Sequence, residues 1–369
     1  MIIKERKKER MILLKIVKNE KSWIESEAVE QLKKYEELDG MFRIAGLPDL
    51  HVGRTPVGAA YMLKDKIYPN LIGSDIGCGI ALFDTRIKMK KFSLDNFYKK
   101  LNKIRYLEEI DIDTSIYDFP YLEKLGTIGS RNHFAEFQVI EKIYMKEEIS
   151  NIGITKDNLM LMVHSGSRIY GQEIIGNYQK KYNDLPLMIG TEEFENYMNS
   201  HNKAVKFAQI NRELIAEKLL KALGKNKPES ILDSSHNEIK EKIEDGQKYY
   251  IHRKGAAPSN EGLVLIAGTR DTCSYIVKPN KEIKDFCYSI SHGAGRKWKR
   301  SGAKERMMHL FTKDNILQIN QRLIYTEKKV LFEEAKEAYK NIEKVIEDLV
   351  SHNMIEVVAS LKPLITFKR

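Results

Sequence analysis

Two kinds of hydrophobic pattern alternate along the chain. Stretches with apolar residues at helical spacing, chiefly Ser26 to Leu38, Ser93 to Tyr106, Glu192 to Leu223 and Glu327 to Val350, predict amphipathic helices. From Pro48 onward the chain also carries short apolar runs broken by glycine: Val57 to Leu63, Ile67 to Leu71, Gly79 to Thr85, Leu159 to Val163, Tyr249 to His252, Leu263 to Ala267 and Cys273 to Val277. Their length and turn-forming boundaries predict strands. The two kinds do not alternate regularly, so the expected class is α+β, with mixed sheets flanked by helices, and not a doubly wound sheet. In the first helix Ala28, Leu32 and Tyr35 share a face, Ser26 is the expected N-cap and Gly40 lies just past the end. Ser22 and Glu25 have the spacing of a capping box and allow an earlier start. The polar segment 225–246 predicts a loop with one short helix.

Lys4 to Arg10 is a charge run without an apolar face, which predicts a solvated basic tail over 1–10. Met11 could equally be the start. Neither repeats nor a linker rich in Pro, Gly or Ser divide the rest, so 11–369 is expected to be one catalytic domain.

Composition narrows the class. With 42% hydrophobic and 31% charged residues the chain is neither disordered nor fibrous. Its 62 Lys and Arg against 52 Asp and Glu leave a net charge of +10, a weak pointer to polyanionic partners. Cys78, Cys273 and Cys287 are odd in number and far apart, which argues against a disulfide framework and for a reducing compartment. The apolar stretch Met11 to Val17 is interrupted by Lys15, unlike a signal peptide, and no run approaches the roughly 18 apolar residues of a membrane span. A cytoplasmic protein is the default expectation.

Candidate chemistry concentrates in short glycine-bearing segments. In residues 73–79 Asp75 and Cys78 are three apart, and flanking glycines let a carboxylate and a thiolate converge on one ion; a turn with a buried cysteine is the plainer reading. Residues 126–136 contain Asn132, His133 and Glu136; residues 163–168 end an apolar run in His164 followed by small hydroxyl residues and Arg168; residues 234–237 add His236. Residues 252–256 and 291–296 each join a histidine to glycine-bearing backbone and cations, a composition suited to phosphate. His51, close to Asp49, is either a base or a turn histidine, and His201, His309 and His352 are read as structural or surface residues.

Taken in order, the segments Pro48-Asp49-Leu50-His51, Asp75-Ile76-Gly77-Cys78-Gly79, Asn132-His133-Phe134 with Glu136, His164-Ser165-Gly166-Ser167-Arg168, Asn211-Arg212, His236-Asn237, His252 to Ala256, Ser291 to Arg296 and Lys368 resemble the RtcB family of RNA ligases. The resemblance runs from about Trp23 to the C-terminus. It implies two manganese ions bridged by Cys78, with Asp75 and His133 at one and His164 and His236 at the other. It implies GTP as co-substrate, His292 as the guanylylated residue, and Asn132, Glu136 and Lys368 as guanine-nucleotide contacts. The loop holding Gly268 and Thr269 and the segment Gly293-Ala294-Gly295-Arg296 belong to the same nucleotide site, and Asp49 matches a carboxylate near the incoming 5′-hydroxyl. The implied substrate is RNA broken into a 2′,3′-cyclic phosphate or 3′-phosphate end and a 5′-hydroxyl end. The implied partners are an archease-like activator or release factor H.

This chain departs from the family in three ways. Ala267-Gly268-Thr269-Arg270-Asp271 stands where Pro-Gly-Ser-Met-Gly is usual, which bears on nucleotide specificity. Ser234-Ser235 precedes His236 in place of Cys-His, and the chain is short for the family. It resembles the branch encoded alongside release factor H. Cys and His ligands alone would favour zinc, whereas the added carboxylate suits manganese. Two other classes remain open: a metal-dependent phosphoesterase that acts on RNA ends without ligation, with no need of His292, and an idle RNA-binding protein, which would be expected to lose metal ligands.

Overall fold

The computed structural model describes residues 12–20, 22–129, 132–320 and 322–369. The expected basic tail 1–10 lies outside them, as do Ser130 and Arg131. Two large mixed sheets carry the architecture. The first has five strands in the order Leu13–Ile16, Met41–His51, Val57–Leu63, Gln247–Lys254 and Asn237–Glu244. The second runs Val264–Ile266, Ser274–Pro279, Ile355–Lys368, Phe134–Ile143, Asn158–Ser165, Gly79–Lys88 and Glu229–Ser235, with Leu323–Tyr325 added in parallel to Ile355–Lys368. Asn158–Ser165 is buried at all eight positions because it pairs on both sides and is covered on both faces.

Helices cover the sheets. The 31-residue helix Glu192–Ala222 lays Ile215, Ala216, Leu219 and Leu220 against Ala81, Phe83, Phe137 and Leu161 of the second sheet. It begins at Thr191, whose side chain accepts from Phe194 N–H at 3.3 Å, and Glu192, Glu193 and Glu195 face the positive end of its dipole. On the first sheet, the helix Ser26–Lys33 packs Leu32 against Ile44, Leu50 and Tyr61, while Ile342–Ser351 packs Val345 and Leu349 on the opposite face. The result is one compact α+β unit with mixed sheets, as expected. Among the described residues no helix is long and apolar enough to cross a membrane.

Several expected elements differ. The first helix stops at Lys33 and tightens into a 3₁₀ turn, Lys34–Glu37. Ser26 is its first helical residue, the cap position Glu25 makes no side-chain bond, and Ser22 Oγ donates to Asp348 across the molecule. The second helix is only Leu94–Asn102. Ile67 to Leu71 is a two-residue strand, Lys66–Ile67, ended by Pro69 and the 3₁₀ turn Pro69–Ile72. The stretch 327–350 breaks into Val330–Glu333, the turn Lys336–Ala338 and the helix Ile342–Ser351, which restarts where Asn341 accepts from Lys344 N–H at 3.1 Å. The supposed loop 225–246 is two strands, Glu229–Ser235 and Asn237–Glu244. They read as polar because each is a half-exposed edge, one in each sheet, with His236 alone between them.

The long helix also carries polar residues into the protein. Asn211 Oδ1 accepts from Gly126 N–H at 2.8 Å and Thr127 N–H at 3.1 Å, and its Nδ2 donates to Ser165 Oγ at 3.0 Å. Arg212, fully buried, donates to Gly77 O and Ser165 O, each at 2.8 Å, and pairs with Asp233 through Nε at 3.1 Å. These bonds hold the loops that follow Asp75 and His164. Arg212→Leu strands Asp233 and two buried carbonyls, so it should cost about 3–5 kcal/mol of unfolding free energy. Urea denaturation measures this, and a loss below about 1 kcal/mol would remove Arg212 as the tie between these loops.

Candidate active site

Asp75, Cys78, His133, His164 and His236 converge where the two sheets meet. His133 immediately precedes the strand Phe134–Ile143, His164 is the penultimate residue of Asn158–Ser165, and Cys78 immediately precedes Gly79–Lys88. Strand register does the assembling, because His164 lies opposite both Ile80 and Phe134. Cys78 Sγ is 3.3 Å from Nε2 of His133 and 3.3 Å from Nε2 of His164. His164 Nε2 is in turn 3.3 Å from His236 Nε2, and His133 Nε2 is 2.9 Å from Asp75 Oδ2. The donor atoms of Cys78, His133 and His164 all lie within 4.8 Å of one another in buried side chains.

That donor set suits a metal. Burial, reinforced by the Asp75 charge, pushes the Cys78 thiol well above its ordinary range. Burial likewise drives His164 and His236 well below the usual histidine range, with the neighbouring imidazoles adding to it, so both are neutral. For Asp75 burial works against ionisation, but His133 and the Arg168 N–H at 3.1 Å outweigh it and keep the carboxyl low. A divalent cation among these tips would take up the neutral imidazoles, displace the thiol proton and offset the buried negative charge.

His292 approaches the same cluster from the other side, its ring centroid 4.5 Å from that of His236. It follows the short strand Ser289–Ser291, and its Nδ1 is 2.7 Å from Asp49 Oδ2, which also accepts from His292 N–H at 3.3 Å. The approach needs glycine: a Cβ on Gly295 would stand 2.4 Å from Asp49 O, and one on Gly58 2.8 Å from Asp49 Oδ1. Burial opposes the Asp49 charge, yet the His292 hydrogen bond and charge hold its carboxyl below the ordinary value.

A cavity of about 1130 Å³ joins these groups. The five metal-site candidates and His292 line it together with Asn132, Glu136, Gly268, Thr269, Gly293, Ala294, Gly295, Arg296 and Lys368. Asp49 does not; it is fully buried behind the imidazole. At the far end Glu136 accepts from Gln138 Nε2 at 2.7 Å and from Thr366 Oγ1, and burial pushes its carboxyl up to about 7. Burial also brings Lys368 down to about 8.

The segment 252–256 behaves differently from its sequence reading. His252 Nε2 accepts from Tyr68 N–H at 3.1 Å, and Arg253 is buried against Glu238 at 3.4 Å and Ser289 Oγ at 3.0 Å. Only Lys254 and Gly255 of that segment line the cavity. His51 does line it, with Nδ1 2.8 Å from Asp49 O, and burial drops its pKa to about 3. His201 Nε2 accepts from Ile239 N–H at 3.0 Å, a structural role, and His352 bonds Asp348 O at 2.9 Å at the end of its helix.

Sequence reasoning missed Glu334 and Tyr339. Glu334 accepts from Tyr339 and has Arg296 at 3.3 Å, Arg300 at 3.6 Å and Lys368 at 3.8 Å. Both were hidden in the stretch taken as one helix, and the Asn341 cap was the signal of the break. Arg270, in the altered loop, donates to Val330 O at 3.2 Å and Leu331 O at 3.1 Å.

The family described as "tRNA-splicing ligase RtcB" matches residues 31–114 and 119–369. The "RNA-splicing ligase RtcB2" of Escherichia coli is 38% identical to the chain, over 94% of this chain and 93% of that protein. The "RNA-splicing ligase RtcB1" of Escherichia coli is 26% identical over 94% and 95%, and the "tRNA-splicing ligase RtcB" of Nanoarchaeum equitans is 26% identical over 96% and 93%.

The position of Cys78 between two sets of donors predicts that Cys78→Ser empties the whole centre of divalent metal while the fold survives, since a neutral hydroxyl cannot replace the charge of a thiolate. Elemental analysis of the purified variant beside its circular dichroism is the check. Metal retained at the wild-type level would exclude a bridging thiolate.

Proposed function

The chain belongs to the RtcB family of RNA-splicing ligases, and on that footing we propose that it seals RNA with a 2′,3′-cyclic phosphate or 3′-phosphate to RNA with a 5′-hydroxyl, consuming GTP through guanylylated His292. The observation that carries this reading is the Asp49–His292 pair. A carboxylate on Nδ1 keeps the proton there and leaves the Nε2 lone pair as the nucleophile. A phosphoesterase that never ligates would make no use of this pair.

The steps are displacements at phosphorus. The cyclic phosphate is first opened by water to a 3′-phosphate. His292 Nε2 then attacks the α-phosphorus of GTP, forming a P–N bond as pyrophosphate leaves. An oxygen of the RNA 3′-phosphate displaces the imidazole and takes the GMP, giving an RNA-(3′)pp(5′)G end. The 5′-hydroxyl of the second strand attacks the RNA phosphorus, and GMP departs. Divalent metal, manganese in this reading, would be held as two ions by Asp75, Cys78 and His133 and by Cys78, His164 and His236, and supplies charge neutralisation on phosphoryl oxygens.

The chain's own cations work on the same charges. Arg296 lines the cavity, and its buried Nη2 has no hydrogen-bond partner among the described residues, which suits an incoming phosphate oxygen. Asn132, Glu136 and Lys368, with the loops of Gly268 and Thr269 and of Gly293 to Gly295, would form the guanine-nucleotide end of the cavity. The segments Gly46-Leu47-Pro48-Asp49-Leu50-His51 and Tyr68-Pro69-Asn70-Leu71-Ile72-Gly73-Ser74-Asp75, which resemble the branch encoded beside release factor H, support a role in RNA repair, of ribosomal or transfer RNA. Release factor H or an archease-like activator would be its partner.

Two experiments test this. Protein incubated with manganese and α-labelled GTP should keep label that acid removes and alkali does not, as a P–N bond requires, and His292→Ala should keep none. Label on the alanine variant would assign the nucleophile to another residue. In sealing assays, 3′-phosphate with 5′-hydroxyl ends should join and 3′-hydroxyl with 5′-phosphate ends should not. Efficient joining of the latter pair would end the assignment.

A further inference from the structure

We propose that Lys340 is a positioning residue for the nucleophile: it fixes the backbone on both sides of Asp49 and, through Asp49, sets the direction of the His292 imidazole. The inference rests on the reading of His292 given above. Its starting point is an irregularity in the strand Met41–His51. Pairing with Val57–Leu63 slips once between Met41 and Arg43, runs regularly from Arg43 to Gly46 opposite Ala59, then shifts again and resumes at His51 opposite Val57. Residues 47–50 bulge out of that ladder, so their peptide groups need other partners.

Lys340 provides them. Its Nζ donates to Pro48 O at 2.9 Å and to Leu50 O at 2.6 Å, the carbonyls that flank Asp49. The carbonyl between them, Asp49 O, is bonded by His51. The main-chain N–H of Lys340 donates to Gly295 O at 3.0 Å, in the loop that follows His292. One residue thus ties the carboxylate's strand to the imidazole's loop.

Its location is expensive for a cation. The ammonium is largely buried, and burial lowers it to about 8. It also stands just before the Asn341 cap of Ile342–Ser351, at the positive end of that helix. Among the described residues no carboxylate lies within ion-pairing distance of its nitrogen; the Trp23 ring is 5.9 Å away, and Asp49 acts on it only at longer range. A side chain serving packing alone would be apolar here. The geometry of the bulge explains the ammonium, which can donate to two diverging carbonyls at once.

Single-turnover guanylylation with manganese and α-labelled GTP is the test. Lys340→Met should slow labelling by about 10–100-fold, the scale of a misaimed reacting group, with the half-saturating GTP concentration and bound manganese unchanged. Lys340→Arg, which keeps charge and donors, should recover most of the rate. Because the effect passes through Asp49, Lys340→Met added to Asp49→Asn should slow the reaction no further. A Lys340→Met enzyme as fast as the wild type, one impaired only in half-saturating GTP, one unfolded by circular dichroism, or losses that multiply in the double variant would each overturn the proposal. Wild-type protein that takes no label would instead remove the reading of His292 itself.

Discussion

Arg212 is a fully buried cation that touches the carbonyls of Gly77 and Ser165, one residue before Cys78 and one after His164. Such a group must be satisfied on every side, and here the partners that satisfy it are the loops that bring the candidate metal donors together. Asp233 completes the set on the edge strand that leads to His236. Asn211, one residue earlier, does the same for Gly126 and Thr127 ahead of His133. The long helix therefore works as a jig. Its apolar stripe fixes it to the sheet, and its two polar residues set the spacing of three loops and the edge strand that bears Asp233.

The same economy governs charge. Glu334 pairs directly with Arg296, Arg300 and Lys368 in the cavity wall, so the cations that would meet phosphate share a single carboxylate that offsets their mutual repulsion. Arg270 is directed elsewhere, onto the carbonyls of Val330 and Leu331, so the altered loop is braced against the segment that bears Glu334. This end of the cavity is thus shaped jointly by two segments, Arg270 lying 60 and 61 positions before the residues whose carbonyls it bonds.

The donor residues were legible in the sequence because each sits in a short segment whose composition is peculiar by itself: Asp75 and Cys78 between glycines, His164 at the end of an apolar run, His292 before glycines. Their partnership was not legible. Asp49 and His292 are 243 positions apart, and nothing local to either announces the hydrogen bond between them. Among the elements, the helix at 192–222 was visible from its helical spacing, and the strands at 57–63 and 159–163 because they are short continuous apolar runs, buried almost throughout. The strands at 229–244 were missed because edge strands keep one wet face and read as loop. The break at 334–341 was missed because helical spacing continues across residues that the fold places elsewhere, Glu334 and Tyr339 in the cavity wall and Lys340 against the backbone around Asp49.

The strand Ile355–Lys368 lies inside the larger sheet, between Ser274–Pro279 and Phe134–Ile143, and it carries Lys368 to the cavity. During synthesis the ribosome delivers this strand after every other donor in the cavity. Until it threads between its neighbours, the strand that follows His133 has an open edge and the cavity lacks the wall that Thr366 and Lys368 form. Building this wall is therefore a long-range closure that joins residues as far apart as Glu136 and Thr366, 230 positions from one another.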